Sequence, residues 1–209
     1  MRLPNAEHES GPWRIREVAP DFILEDAWAL PVHGGAQDFQ WLLDRTVSSA
    51  PGDSNSLPTR VLWGVRDRLG SWFGLGRISA APDGGAHAGA LPIPGTSETS
   101  LSGRLPADLR HTAEDLTFRS LPFIPLYRTD TEFAAELSNR TVHGVMHLAW
   151  VPEGEDSYQG RMAVYVKPRG RLGHAYMALI KPFRLWLVYP ALMRQIRTEW
   201  LRRGAEPDR

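Results

Sequence analysis

The last third of the chain constrains the fold most. Residues 137–151 read LSNRTVHGVMHLAWV, and residues 160–203 read GRMAVYVKPRGRLGHAYMALIKPFRLWLVYPALMRQIRTEWLRR. Two strands with alternating apolar residues run straight into one long apolar helix that carries Pro182 and Pro190. An amphipathic helix following an antiparallel sheet must bury its stripe against a sheet face. An α+β fold is therefore expected, with the helix lying across the sheet and able to enclose a pocket. The pattern points to an architecture and names no substrate.

The chain has 209 residues, enough for one well-buried core and too few for two full domains. Its 24 basic and 24 acidic side chains cancel, so it lacks the whole-chain basic field of a nucleic-acid binder, and no nucleic-acid partner is expected. The absence of cysteine excludes disulfides, thiolate zinc sites and a cysteine nucleophile. No apolar run precedes the acidic residues of the first twenty, so they do not read as a secretory signal. The nearest approach to a membrane span, Ala175 to Met193, is interrupted by Lys181 and Arg184. The expectation is a soluble, cytoplasmic protein with no cofactor. Eight tryptophans predict a core or pocket rich in large rings.

Residues 1–20, polar and punctuated by Pro4, Pro12 and Pro20, read as a flexible leader before a single domain over 21–203. A first strand is expected over Phe22–Val32 and a short amphipathic helix over Gln37–Ser49. A second helix follows from about Ser56 to Phe73, with Pro58 in its first turn. Residues 76–106 are rich in Gly, Pro, Ser and Ala and read as a long mobile loop. An irregular edge strand is expected at Leu121–Leu126, which contains two prolines. Strands at Thr131–Ser138, Arg140–Val151 and Gln159–Lys167 come next, and residues 204–209 form a tail.

Side chains alternate faces along a strand. With Asn139-Arg140 as a two-residue turn, Leu137 opposes Val142, Ala135 opposes Gly144 and Phe133 opposes Met146, which collects the apolar residues on one face. The same register sets Glu136 across from His143 and Glu132 across from His147, close enough to pair. The functional reading makes these carboxylate–histidine pairs proton-transfer groups. The plainer reading, given more weight, is a solvent-facing sheet surface with charge pairing. A metal reading of His143 and His147 ranks last, because His-x-x-x-His on a strand lacks the geometry of the helical zinc motif.

In the C-terminal helix, Tyr176, Leu179, Ile180, Phe183, Trp186, Leu187, Met193, Ile196 and Trp200 recur three or four apart and form the expected core-facing stripe. Pro182 and Pro190 each delete a hydrogen bond and predict a bend or break. Basic residues beside large apolar ones also permit attachment to a membrane surface, a less favoured fate than core packing. A Gly-x-Ser-x-Gly elbow and a phosphate loop are both absent.

The blocks NRTVHGVMHLAWV (139–151), GRMAVYVKPRGRLGHAYMALIKPFR (160–184), YPALMRQI (189–196) and RVLWGVRDRLGSWFGL (60–75) resemble a bacterial domain family of unknown function. Its members stand alone or follow an NAD-dependent epimerase-like domain. The family is similar to the helix-grip superfamily of START domains, plant pathogenesis-related proteins and polyketide cyclases (the SRPBCC group). The resemblance implies a curved antiparallel sheet wrapped around a long C-terminal helix. It also implies a small hydrophobic or aromatic ligand in the cavity between them, lined by Phe133, Met146, Trp150, Tyr176, Phe183 and Trp186. The alternative is a cyclase, dehydratase or isomerase that moves protons on a polyketide-like substrate with His143, His147, Glu136 and Tyr165. A membrane-surface or protein-interaction module is the third expectation.

Overall fold

A computed structural model describes residues 1–48, 100–118, 121, 123–138 and 141–203. In chain order the strands are β1 (Arg2–Leu3), β2 (Ile23–Gly34), β3 (Ile124–Arg128), β4 (Glu132–Ser138), β5 (Val142–Pro152) and β6 (Tyr158–Pro168). The helices are α1 (Asn5–Glu9), α2 (Ile15–Val18), α3 (Asp38–Ser48), α4 (Gly170–Phe183) and α5 (Tyr189–Arg203), with a π-helical turn at Arg184–Val188 and a 3-10 turn at Leu101–Arg104. The expected helix at 56–73, most of the 76–106 loop and the 204–209 tail lie outside the described residues.

The fold is α+β, built on a six-stranded open sheet in the order β1-β2-β6-β5-β4-β3 with every neighbouring pair antiparallel. Proline explains the position of β3. Pro125 cannot donate to a ladder, and β3 sits at the sheet edge with an irregularity between Pro125 and Tyr127.

The sheet is buried on both faces, and the two faces differ in side-chain size. One carries Trp28, Leu30, Phe133, Leu148, Trp150 and Met162, covered by α3 and α5. There Trp41 and Trp200 meet edge to face with centroids 5.0 Å apart, and Arg45 pairs with Glu199 at 3.2 Å. The other face carries Ala27, Ala29, Ala134, Ala149 and Ala163. Short side chains let another layer come close, and that layer is the chain's own start. Residues 2–18, expected to be loose, instead form β1, α1 and α2 and bury Leu3, His8, Trp13, Ile15 and Val18 against the alanine face. Ion pairs fasten the layer: Arg14 to Asp108 at 2.7 Å, Arg104 to Asp21 at 2.6 Å and Lys167 to Asp21 at 2.9 Å. Apolar residues Leu101, Leu105 and Leu109 complete it.

The C-terminal helix runs 34 residues in three pieces. Pro182 and Pro190 both lack the N–H that an α-helix needs, and the π-helical turn lies between them. Gly173 sits where α4 leaves the sheet. A Cβ there would lie 2.3 Å from the carbonyl oxygen of Thr141, so only glycine permits this approach. Beyond the π turn, Tyr189, Leu192, Met193, Ile196 and Trp200 of α5 pack on the large-residue face as the 3.6-residue spacing predicts.

Candidate functional site

The β4–β5 register differs by two residues from the expected one. Glu132 opposes Ala149, Glu136 opposes Val145 and Ser138 opposes His143. A two-residue slip keeps every side chain on its expected face, and it changes the Glu–His pairs from directly opposed to diagonal neighbours. Both pairs still form. His143 Nε2 lies 2.8 Å from Glu136 Oε2, and His147 Nε2 lies 3.1 Å from Glu132 Oε2.

The face that carries these pairs does not meet solvent. His143 and His147 are fully buried, and Glu132 and Glu136 nearly so. The solvent-facing reading is thereby corrected, and the cause is the ordered N-terminal layer over the alanines. Buried carboxylates require donors. Glu132 receives the Arg14 backbone N–H at 3.0 Å and the Tyr127 hydroxyl at 3.0 Å, besides His147. Glu136 receives the Leu101 N–H at 3.1 Å and the Ser100 hydroxyl, besides His143. Each carboxylate therefore ties the sheet to a different part of the covering layer. A carboxylate only accepts, so Nε2 of each histidine donates to its glutamate.

Around His147 the covering layer contributes a third imidazole. The His8 ring lies 5.4 Å from the His147 ring, stacks on Trp13 at 5.4 Å and lies 6.2 Å from Tyr165. The Trp13 indole N–H donates to the His8 carbonyl at 2.6 Å, which holds the end of α1 over β5. Among the described residues neither ring nitrogen of His8 has a hydrogen-bond partner, nor does Nδ1 of His147 or the Tyr165 hydroxyl. Burial, reinforced by His147, Arg161 and Arg16, pushes the His8 pKa down to about 3. Burial likewise pushes the Tyr165 hydroxyl up to about 12, with Glu9 and Glu132 adding to the shift and Arg16 opposing it. Tyr127 is raised by burial and by Glu132. The result is a buried cluster in which the rings of His8, Trp13, His147 and Tyr165 gather beside the Glu132 side chain. Among the described residues, no group of three or more His, Asp or Glu side chains is placed to hold a metal ion.

A surface groove of about 410 Å³ runs beside α1, lined by Leu3, Glu7, Leu30, Pro31, Gln159 and Arg161 among others. Arg161 lines it, pairs with Glu7 of α1 at 3.1 Å and acts electrostatically on His8. The groove therefore reaches the layer that covers the histidines.

The sequence-predicted residues divide between the two faces. His143, His147, Glu136 and Tyr165 share the alanine face, where His147 and Tyr165 approach to 6.3 Å. Phe133, Trp150 and the partly buried Met146 lie on the opposite face, in the core beneath α5. Tyr176 and Phe183 are half-buried on α4, and Trp186 is 80 % exposed, so the six expected lining residues do not converge. Sequence reading missed His8, Trp13 and Tyr127. The available signal was a histidine three residues before a Gly-Pro-Trp segment, and a polar N-terminus masked it.

A family model described as "Protein of unknown function (DUF2867)" matches residues 18–191. No curated protein and no solved structure matches the chain.

Proposed function

The chain belongs to the DUF2867 family of proteins of unknown function, and we propose that it is a small-molecule enzyme of the isomerase or dehydratase type on a helix-grip-like scaffold. The observation that carries this reading is the buried Glu132–His147 pair, whose ring lies 5.4 Å from the His8 ring and 6.3 Å from the Tyr165 ring, with Nδ1 unpartnered among the described residues. A carboxylate on one nitrogen sets the tautomer and leaves the other as a base. In the proposed step, His147 Nδ1 takes a proton from a carbon next to a carbonyl. The C–H electron pair becomes the enolate, the Tyr165 hydroxyl donates a hydrogen bond to its oxygen, and Glu132 offsets the imidazolium charge. The proton returns at another atom, which completes an isomerisation without an oxidant or reductant. This reading requires an entry past the covering layer, and the groove lined by Glu7 and Arg161 is the opening beside it. The rings of Trp13, His8 and Tyr165 favour a flat, mainly apolar substrate, consistent with a polyketide-like ketone.

The test is hydrogen exchange into β-ketoacyl thioesters and aromatic ketones in D2O, followed by NMR. The wild-type protein should accelerate exchange at the carbon next to the carbonyl. His147→Asn should reduce that rate about 100-fold, and Tyr165→Phe by a smaller factor, with circular dichroism unchanged. Exchange no faster than buffer across the panel, or equal rates in both folded variants, would refute the proposal.

A further inference from the structure

The α4 helix and the π turn leave part of their apolar surface uncovered. Gly173 and Met177 are the buried residues of α4, and Arg184 reaches inward to the buried Asp26 at 2.7 Å. On the opposite side Leu172, Leu179 and Trp186 follow one another at seven-residue intervals, nearly two turns each, and are 54, 56 and 80 % exposed. Scattered exposed leucines need no explanation, but a continuous line along one helix does. The rotation is fixed from inside. Arg184 also donates to the Tyr189 hydroxyl at 2.5 Å, and Trp186, two residues on, then lies about half a turn away from the sheet.

Charge selects the occupant of this face. The net-neutral chain has no Asp or Glu from Ser157 to Thr198, while that stretch holds eight Lys and Arg residues. Arg161, Lys167, Lys181 and Arg184 pair with carboxylates elsewhere in the chain, and Arg171, Arg194 and Arg197 are exposed on the C-terminal helix. A second copy docking symmetrically would set this basic fringe against itself. An anionic bilayer matches both parts of the pattern: apolar side chains enter the acyl boundary, Trp sits at headgroup level and Arg meets phosphate. Among the described residues no helix is long and apolar enough to cross a membrane, so the helix would lie in the plane of the surface.

We propose that the outer face of residues 172–187 docks on an anionic lipid surface, with Leu172, Leu179 and Trp186 inserting. The test is co-sedimentation of the full chain with phosphatidylcholine vesicles, with and without phosphatidylglycerol. Binding is expected only with phosphatidylglycerol and should weaken at high salt. The double variant Leu179→Ser/Trp186→Ser should bind roughly tenfold or more weakly, with its urea midpoint unchanged because both side chains are exposed. Four results would overturn the proposal: no sedimentation with phosphatidylglycerol vesicles, equal binding to pure phosphatidylcholine, undiminished binding by the variant, or a solution dimer that the variant abolishes.

Discussion

His8 makes the clearest thermodynamic prediction. Its ring is fully buried, its two nitrogens have no hydrogen-bond partner among the described residues, and its pKa falls from 6.5 to about 3. The sign follows from proton counts. Between those two values the unfolded chain binds a proton at His8 and the folded protein does not, so stability rises with pH across that window. The contribution is fully present above about pH 6.5 and is lost as pH falls toward 3, at about 1.4 kcal/mol per unit. At about pH 4.5 the loss is therefore about 2.7 kcal/mol. His8→Leu removes the titration and keeps a similar volume, so near pH 7.5 it should lie within about 1.5 kcal/mol of wild type. Urea unfolding of both proteins at the two pH values reads the His8 contribution as the difference between them. The variant should gain about 2.7 kcal/mol on wild type in moving to the lower pH. Equal pH dependence in the two proteins would refute the burial of a neutral His8.

Two further predictions concern the C-terminal helix. Asp26→Asn leaves Arg184 half-buried without its counter-charge and should cost about 3 kcal/mol. Faster amide exchange across 184–203 than in the strands would check that the damage is local. Gly173→Ala should destabilise by about 1–3 kcal/mol, because the added Cβ meets the Thr141 carbonyl, although helix propensity alone predicts a gain of about 1 kcal/mol. A melting temperature at or above wild type would show that the carbonyl moves aside.

Much of the sheet was legible because strand periodicity is a property of single residues. Strands β2 to β6 fall within a few residues of their expected positions, and β3 is the proline-bearing edge. Register is a two-strand property, and the expected one was wrong by two. It nevertheless preserved both Glu–His pairs, since an even slip keeps the faces and a diagonal neighbour is still within reach of a long side chain. The C-terminal helix shows the opposite failure. Its spacing identified an apolar stripe correctly in α5, but along α4 and the π turn it left Leu179 and Trp186 exposed and Tyr176 and Phe183 half-buried, because an amphipathic pattern states which residues share a face and not what that face meets.

The site was half legible for a related reason. Alternation separated a face with His143, His147 and Glu136 from an apolar one, and polarity alone then argued for solvent. The alanines at 134, 149 and 163 argue otherwise. An exposed strand face gains nothing from alanine, which has poor strand propensity, whereas a face that receives a second layer needs short side chains to leave room for it. In this fold the room is filled by His8 and Trp13, residues more than a hundred positions away from the strands they cover. A layer supplied from the far end of the chain has no local signature. Only the small residues that accommodate it reveal it, and they do so as an absence of bulk rather than as a motif.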